Sequence, residues 1–187
     1  MRLILGVIFA MLLTSAPPRA APWVISPESQ VTVSVKWAGG TARVVFPEIL
    51  GEIDFDAAHP ERVEAEVYVR ARSGSTGVAL ADQLLQSRDY LSSAEYPEIS
   101  FELTGLEQTS RSTADIFGNI TLRGITRPIT FGASVFRYGP STDAPDRFEA
   151  GFNMSGQVDR REFGSTEGAP EIATILPVEI RLLITSK

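Results

Sequence analysis

Gly118-Asn119-Ile120-Thr121-Leu122-Arg123-Gly124-Ile125-Thr126-Arg127-Pro128-Ile129-Thr130-Phe131 holds two runs of period 2 joined by one short connection. Ile120 and Leu122 alternate with Asn119, Thr121 and Arg123; Ile129 and Phe131, continued by Ala133 and Val135, alternate with Thr130, Gly132 and Ser134. This spacing spells a β-hairpin with one apolar face and one wet face. Gly124 supplies the positive φ of a tight reversal, and Pro128, which lacks an N–H, suits the first residue of the returning strand.

The same period extends in both directions. Upstream, Val31, Val33, Val35 and Trp37 share a face over 30–37; Ile53 and Phe55 do so over 49–55; Val63, Ala65, Val67 and Val69 do so over 62–72. Residues 42–46 form a short extended run. Between 78 and 90 the period lengthens: Leu80, Leu84, Leu85 and Leu91 recur at helical spacing with no interior Gly or Pro, which predicts one helix. Period 2 returns with Ile99, Phe101 and Leu103, pauses over a polar connection at 105–114, and forms the hairpin strands at 116–123 and 128–137. Phe152 and Met154 then face one way over 148–154, an irregular stretch covers 159–173, and Val178, Ile180, Leu182 and Ile184 close the chain. The expectation is an all-β fold, an antiparallel eight-stranded barrel with one inserted helix. Clean alternation means one buried face per strand, and a closed eight-stranded barrel turns that face into a lumen just wide enough for one ligand. Function is therefore sought inside.

The ends of the chain and its charge narrow the setting. Met1-Arg2, the apolar run over 3–13 and the small, proline-bearing residues that follow read as an export signal over 1–21, with one domain over 22–187. The apolar run is too short for a bilayer, which takes about 20 residues, so no stable membrane span is expected. Export would make the protein periplasmic or secreted. The chain carries a net charge of −6, and loss of Arg2 and Arg19 with the signal makes it more acidic, a balance that argues against nucleic acid and anionic surfaces as partners. No cysteine is present, which excludes disulfides and thiolate chemistry. The single histidine, His59, precedes Pro60 in an acidic turn; with no Cys it cannot assemble a metal set. No nucleophile elbow and no serine with a histidine partner is found, so no catalytic residue is assigned.

Four stretches together resemble the YceI-like family of small exported proteins. They are Gly51-Glu52-Ile53-Asp54-Phe55-Asp56; Leu84-Leu85-Gln86-Ser87-Arg88-Asp89-Tyr90-Leu91 with Tyr96-Pro97-Glu98-Ile99-Ser100-Phe101; the opening hairpin; and Arg160-Arg161-Glu162-Phe163-Gly164, with Glu where Asp is commoner. The resemblance covers about residues 23–187 and departs from the family pattern over 37–46 and 159–177. It implies a lipocalin-like barrel and a non-catalytic role in binding polyisoprenoid lipids.

On that reading the lumen wall supplies the ligand-binding candidates: Val35 and Trp37, Phe55, Val67 and Val69, Leu84 from the helix, Phe101 and Leu103, Ile120 and Leu122, Phe131 and Val135, Phe152 and Met154, and Phe163 shaping one end. Ten methylene equivalents buried there would contribute about 8 kcal/mol at roughly 0.8 kcal/mol each, enough for micromolar binding with no charge in the wall. Arg123, Arg127 and Arg160 lie beside turns and are the head-group candidates, because guanidinium forks match phosphate; the competing reading pairs them with acids such as Asp159 or Glu162. The expected ligand is an isoprenoid lipid or a quinone. The alternative is a barrel whose lumen is filled by side chains and whose surface meets a protein, a membrane redox partner or a second copy paired through the helix.

Overall fold

The computed structural model describes residues 23–186. The expected signal over 1–21 and the outermost domain residues 22 and 187 lie outside them. In chain order the strands are β1 (Val24–Ile25), β2 (Gln30–Trp37), β3 (Gly40–Phe46), β4 (Ile49–Asp54), β5 (Glu64–Arg70), β6 (Glu98–Gln108), β7 (Thr113–Leu122), β8 (Ile125–Pro140), β9 (Phe148–Asp159) and β10 (Ile175–Thr185), with helix α1 (Ala79–Gln86) between β5 and β6. All pairings are antiparallel, in the order β3-β2-β10-β9-β8-β7-β6-β5-β4. The sheet curls on itself as a lipocalin-like barrel.

Ten strands stand where eight were expected. The short run at 42–46 is a full strand paired with β2 from Trp37↔Gly40 to Val31↔Phe46. The other addition, β1, is two residues long, and no periodicity can announce it. It matters for closure, because β3 and β4 end the strand order and form no ladder with each other. β1 pairs with β10, and the Trp23 N–H donates to the Ile53 carbonyl of β4 at 2.9 Å. On the other edge, Val45 of β3 exchanges two backbone hydrogen bonds with Ser75 at 2.9 and 3.0 Å. Short bridges thus cover edges that would otherwise be free to template other strands.

The central hairpin turns tighter than expected. β8 begins at Ile125, directly opposite Leu122, and the two turn residues Arg123 and Gly124 both have positive φ, 53° and 72°, the geometry whose twist matches paired strands. Pro128 therefore lies inside β8 rather than at its start. It is tolerated because β9 pairs with β8 only from Gly132 onward, so the other side of β8 over 125–131 asks for no N–H. The connection expected at 105–114 is mostly strand: β6 runs to Gln108 and β7 starts at Thr113, with a register shift between Leu103 and Gly105 that hides the alternation.

The outer face of β4, β5 and β6 carries a like-charge row. Glu52 lies opposite Glu66, and Glu66 opposite Glu102, all exposed. Like charges directly opposite repel, so Glu102→Lys is expected to stabilise the protein by about 0.5–1 kcal/mol, a gain that chemical denaturation should show shrinking as salt is raised.

Candidate functional site

Alternation turns the apolar residues of every long strand inward, where they divide into two packed groups. In one, Phe131, Val158, Phe163 and Val178 are buried together. In the other, Ile53, Ala150 and Ile184 are buried beneath Trp23, Phe55 and Phe152, whose rings meet edge to face at centroid distances of 5.7 and 5.4 Å. Between them the interior is hollow. Val67, Phe101, Leu103 and Ile120 face inward yet are only half-buried, because they border empty space rather than other side chains.

The cavity has a volume of about 270 Å³, near the lower end of the roughly 300–1,000 Å³ usual for ligand pockets. Along β6 its wall includes Ile99, Phe101, Leu103 and Leu106, a length of about 23 Å at strand rise. Among the described residues Ser100 is the one polar residue in the lining. Such a wall offers contact area and almost no hydrogen bonds, which suits a long apolar chain and leaves a polar ligand unsatisfied. The Phe101 and Phe131 rings, 5.9 Å apart, lie against Gly118 and Gly156, where a Cβ would come within 2.3 and 2.6 Å of them. Glycine on the neighbouring strand is what lets each ring lie flat against the wall.

The structure sorts the candidates. Val35, Phe55, Val67, Val69, Phe101, Leu103, Ile120, Leu122, Phe131, Phe152 and Met154 border the cavity. Four others do not. Trp37 is 53% exposed at the tip of the β2–β3 hairpin, its ring folded over Gly39. Val135 faces out beside a register shift that ends the alternation of β8. Phe163 packs into the core group with Phe131 and Val158. Leu84 points to solvent, and Leu85 and Leu91 take its place in the wall. In a leucine-rich helix more than one stripe fits the period, and the sequence does not say which one turns inward. Among residues outside the candidate set, Val44, Phe46 and Ile49 also line the cavity, on the short strands least marked by pattern.

The segment that follows α1 is clasped from below. The helix ends at Gln86, shorter than the expected 78–90, because the main chain of 88–90 bonds to the barrel instead of continuing the spiral. Arg123 donates from one guanidinium nitrogen to the carbonyls of Arg88 at 2.7 Å and Tyr90 at 2.5 Å, and the Ser165 hydroxyl donates to the Asp89 carbonyl at 3.1 Å. These contacts hold Arg123 in a left-handed conformation that arginine otherwise avoids. Arg160 is 5% exposed and donates to the carbonyls of Ala173, Ser165 and Ile172 at 3.0, 2.8 and 3.0 Å, with its guanidinium 5.9 Å from the Tyr90 ring centre. Among the described residues its side chain forms no ion pair with a carboxylate. Asp159 instead takes the neighbouring Arg161 in a two-pronged pair, which holds the Asp159 carboxyl below the usual carboxylate range. Arg127 is exposed and donates to the carbonyl of adjacent Thr126.

At its other end α1 is tied by Asp82. The Thr76 backbone N–H, the Ser75 hydroxyl and the Thr76 hydroxyl all donate to its carboxylate, at 2.6, 2.7 and 2.7 Å, and hold its pKa below the usual range. A depressed carboxylate stabilises the fold at pH above its unfolded value of about 3.9, and that contribution is lost as pH falls through the lower folded value. Protease cleavage within 74–90 should accordingly rise only in acid, and Asp82→Asn should raise it already at neutral pH.

Comparison with known proteins agrees with this architecture. The sequence profile of the YceI-like domain matches residues 23–184. A UPF0312 protein of Pseudomonas savastanoi pv. phaseolicola is 32% identical over 168 residues, covering 88% of this chain and 86% of its own, and one of Azotobacter vinelandii is 30% identical over 180 residues, covering 90% and 91%. Among solved structures, Burkholderia cenocepacia BcnA superposes with a TM-score of 0.75 at 16% identity, over 85% of this chain and 98% of its own. A polyisoprenoid binding domain from Saccharophagus degradans gives 0.67 at 15% identity, over 90% and 99%. At such identities the structures establish the shared fold. From its barrel, its clasped helix and a profile match spanning nearly all the described residues, the chain belongs to the YceI-like family.

Proposed function

We propose that the protein carries one long apolar lipid, isoprenoid in type and with a quinone as one form of it, inside the barrel, and performs no reaction on it. The observation that carries this reading is the cavity wall, whose one polar residue is Ser100. An unfilled apolar lumen gains from any chain that displaces water from it, by about 25 cal/mol per Å² of apolar surface covered. The fold shared with a polyisoprenoid binding domain supports the same ligand class. The residues that border the cavity would make the contacts. Arg127, which is exposed and among the described residues donates to its neighbour's carbonyl, is the head-group candidate; Arg123 and Arg160 turn their guanidinium groups to main-chain carbonyls. The leader-like residues 1–21 support export and a periplasmic or secreted location.

The test is native mass spectrometry of gently purified protein, followed by extraction into organic solvent and titration with polyprenyl alcohols. A bound mass of several hundred daltons that partitions into solvent, or saturable uptake at one per chain, is the expected result. A bare polypeptide that takes up no polyprenyl chain would overturn it.

A further inference from the structure

The two ends of the lumen are built differently. Along β9 its wall runs from Phe152 through Met154 to Val158, and along β10 from Ile184 through Ile180 to Leu176. Phe55 directly follows β4, which is not a neighbour of β9 in the sheet, so Phe55 and Phe152 meet across the interior, 5.4 Å apart between ring centres. Both rings border the cavity, whereas Trp23 and Ala150, packed in the same group, do not. The hollow therefore ends at the two phenylalanines. Trp23 backs them: its indole N–H donates to the Phe55 carbonyl at 2.7 Å and its backbone N–H to the Ile53 carbonyl at 2.9 Å.

The opposite end is closed from outside the sheet. Leu85 and Leu91 complete the wall there, on a segment held by the turn residue Arg123 and by Ser165, which lies just beyond the end of β9. Among the described residues the main chain of 76–96 bonds only to itself and to side chains. Such a segment opens by releasing side-chain contacts, with no strand pair parted. Opening at the rings would instead break the bridge that ties Trp23 to β4 and move a residue of β9, which is paired on both sides.

We infer that Phe55 and Phe152, backed by Trp23, are the end stop of the lumen: an isoprenoid chain enters past α1 tail first, comes to rest with its last methyls on the two rings, and is measured by the distance from the rings to α1. This rests on carriage of such a chain in the lumen, and adds to it a direction and a length. The wall runs about 23 Å along β6, close to the reach of an extended geranylgeranyl chain. Units beyond that length stay outside and gain nothing from the apolar wall. The polar head is left at the α1 end, where Arg127 stands exposed just past the Arg123–Gly124 turn. Ala65, opposite Ile53 and bordering the cavity in the same group as the rings, is the place where added bulk would bring the stop forward.

Titration with detergent-dispersed farnesol, geranylgeraniol, geranylfarnesol and solanesol, in order of length, tests this. In the parent, affinity should rise at least about tenfold from farnesol to geranylgeraniol, because a whole isoprene unit is added to the buried chain, and then stay within about twofold up to solanesol. Phe152→Ala should carry the rise on to geranylfarnesol, raising the ratio of its affinity to that of geranylgeraniol at least about tenfold. Ala65→Phe should end the rise at farnesol, lowering the ratio of geranylgeraniol to farnesol by about the same factor. Each ratio is taken within one protein, so a partly unfolded variant takes up less of every chain and leaves its ratio unmoved. Ala65→Phe adds carbons at the border of empty space, and it decides the matter even if Phe152→Ala fails to fold. Affinity that climbs evenly to solanesol in the parent, or ratios that stay put in the folded variants, would overturn the stop and leave carriage standing. No binding of any of these alcohols would overturn carriage and the stop with it.

Discussion

Replacing Arg160 by methionine is expected to lower the unfolding free energy by about 3–5 kcal/mol, and the melting temperature by on the order of 10 °C. Methionine keeps much of the buried volume, so the loss is not one of packing. The guanidinium gives hydrogen bonds to the Ala173, Ser165 and Ile172 carbonyls, and each orphaned acceptor costs about 1–3 kcal/mol unless water reaches it. Relief of the buried charge works the other way, since bringing a cation out of water is costly. Asp159 is paired with Arg161 and offsets that charge only weakly, so the balance rests on the three acceptors left without a donor. Arg160→Lys should recover only part, because an ammonium cannot address three divergent carbonyls from one plane. The contacts at Tyr90 and Ser165 carry the damage to the segment that follows α1: amide exchange over 87–91 should quicken together with exchange over 165–174. A melting temperature within a degree or two of the parent would mean that Arg160 is no pin.

Enlarging the lumen residues should do the reverse. Val67→Phe and Ile120→Phe, alone or combined, are expected to leave stability within about 1 kcal/mol of the parent, or to raise it, while lowering uptake of a polyprenyl chain by at least about tenfold. In a close-packed core each change would force neighbours off their rotamers and cost about 1–3 kcal/mol. Both side chains border the cavity, so the added carbons enter empty space and make contacts that the parent lacks. The opposite signs on stability and uptake separate a hollow carrier from a filled barrel. Strong destabilisation of both variants would show an interior already full.

Much of this fold is legible in the sequence, and where it is not the reason is local. Where strands alternate without interruption, as Val63 to Val69 or Ile120 and Leu122, the inward face is read correctly from period alone. Two register shifts break that reading, at Gly105 and beside Val135, because one extra residue inverts every later assignment. In α1 three leucines fit the helical period, and the choice of Leu85 over Leu84 is made by Asp82 and Gln86, which tie the helix to Ser75, Thr76 and Gly74. The arginines were the least legible. Arg123 and Arg160 sit in recognisable motifs, yet their partners are main-chain carbonyls of segments remote in sequence, and carbonyls leave no mark in composition.

The clasp and the hollow describe one device: a lumen under a helix that is fixed at Asp82 on one side and at Arg123, Ser165 and Arg160 on the other. Methyl NMR of the protein mixed with one equivalent of a polyprenyl alcohol would locate the ligand directly. Intermolecular contacts from the isoprenoid methyls to Val67, Ile120 and Met154, with none to Leu50 on the outer sheet, are the predicted result. Contacts confined to outward-facing residues, or none at all, would contradict carriage in the lumen.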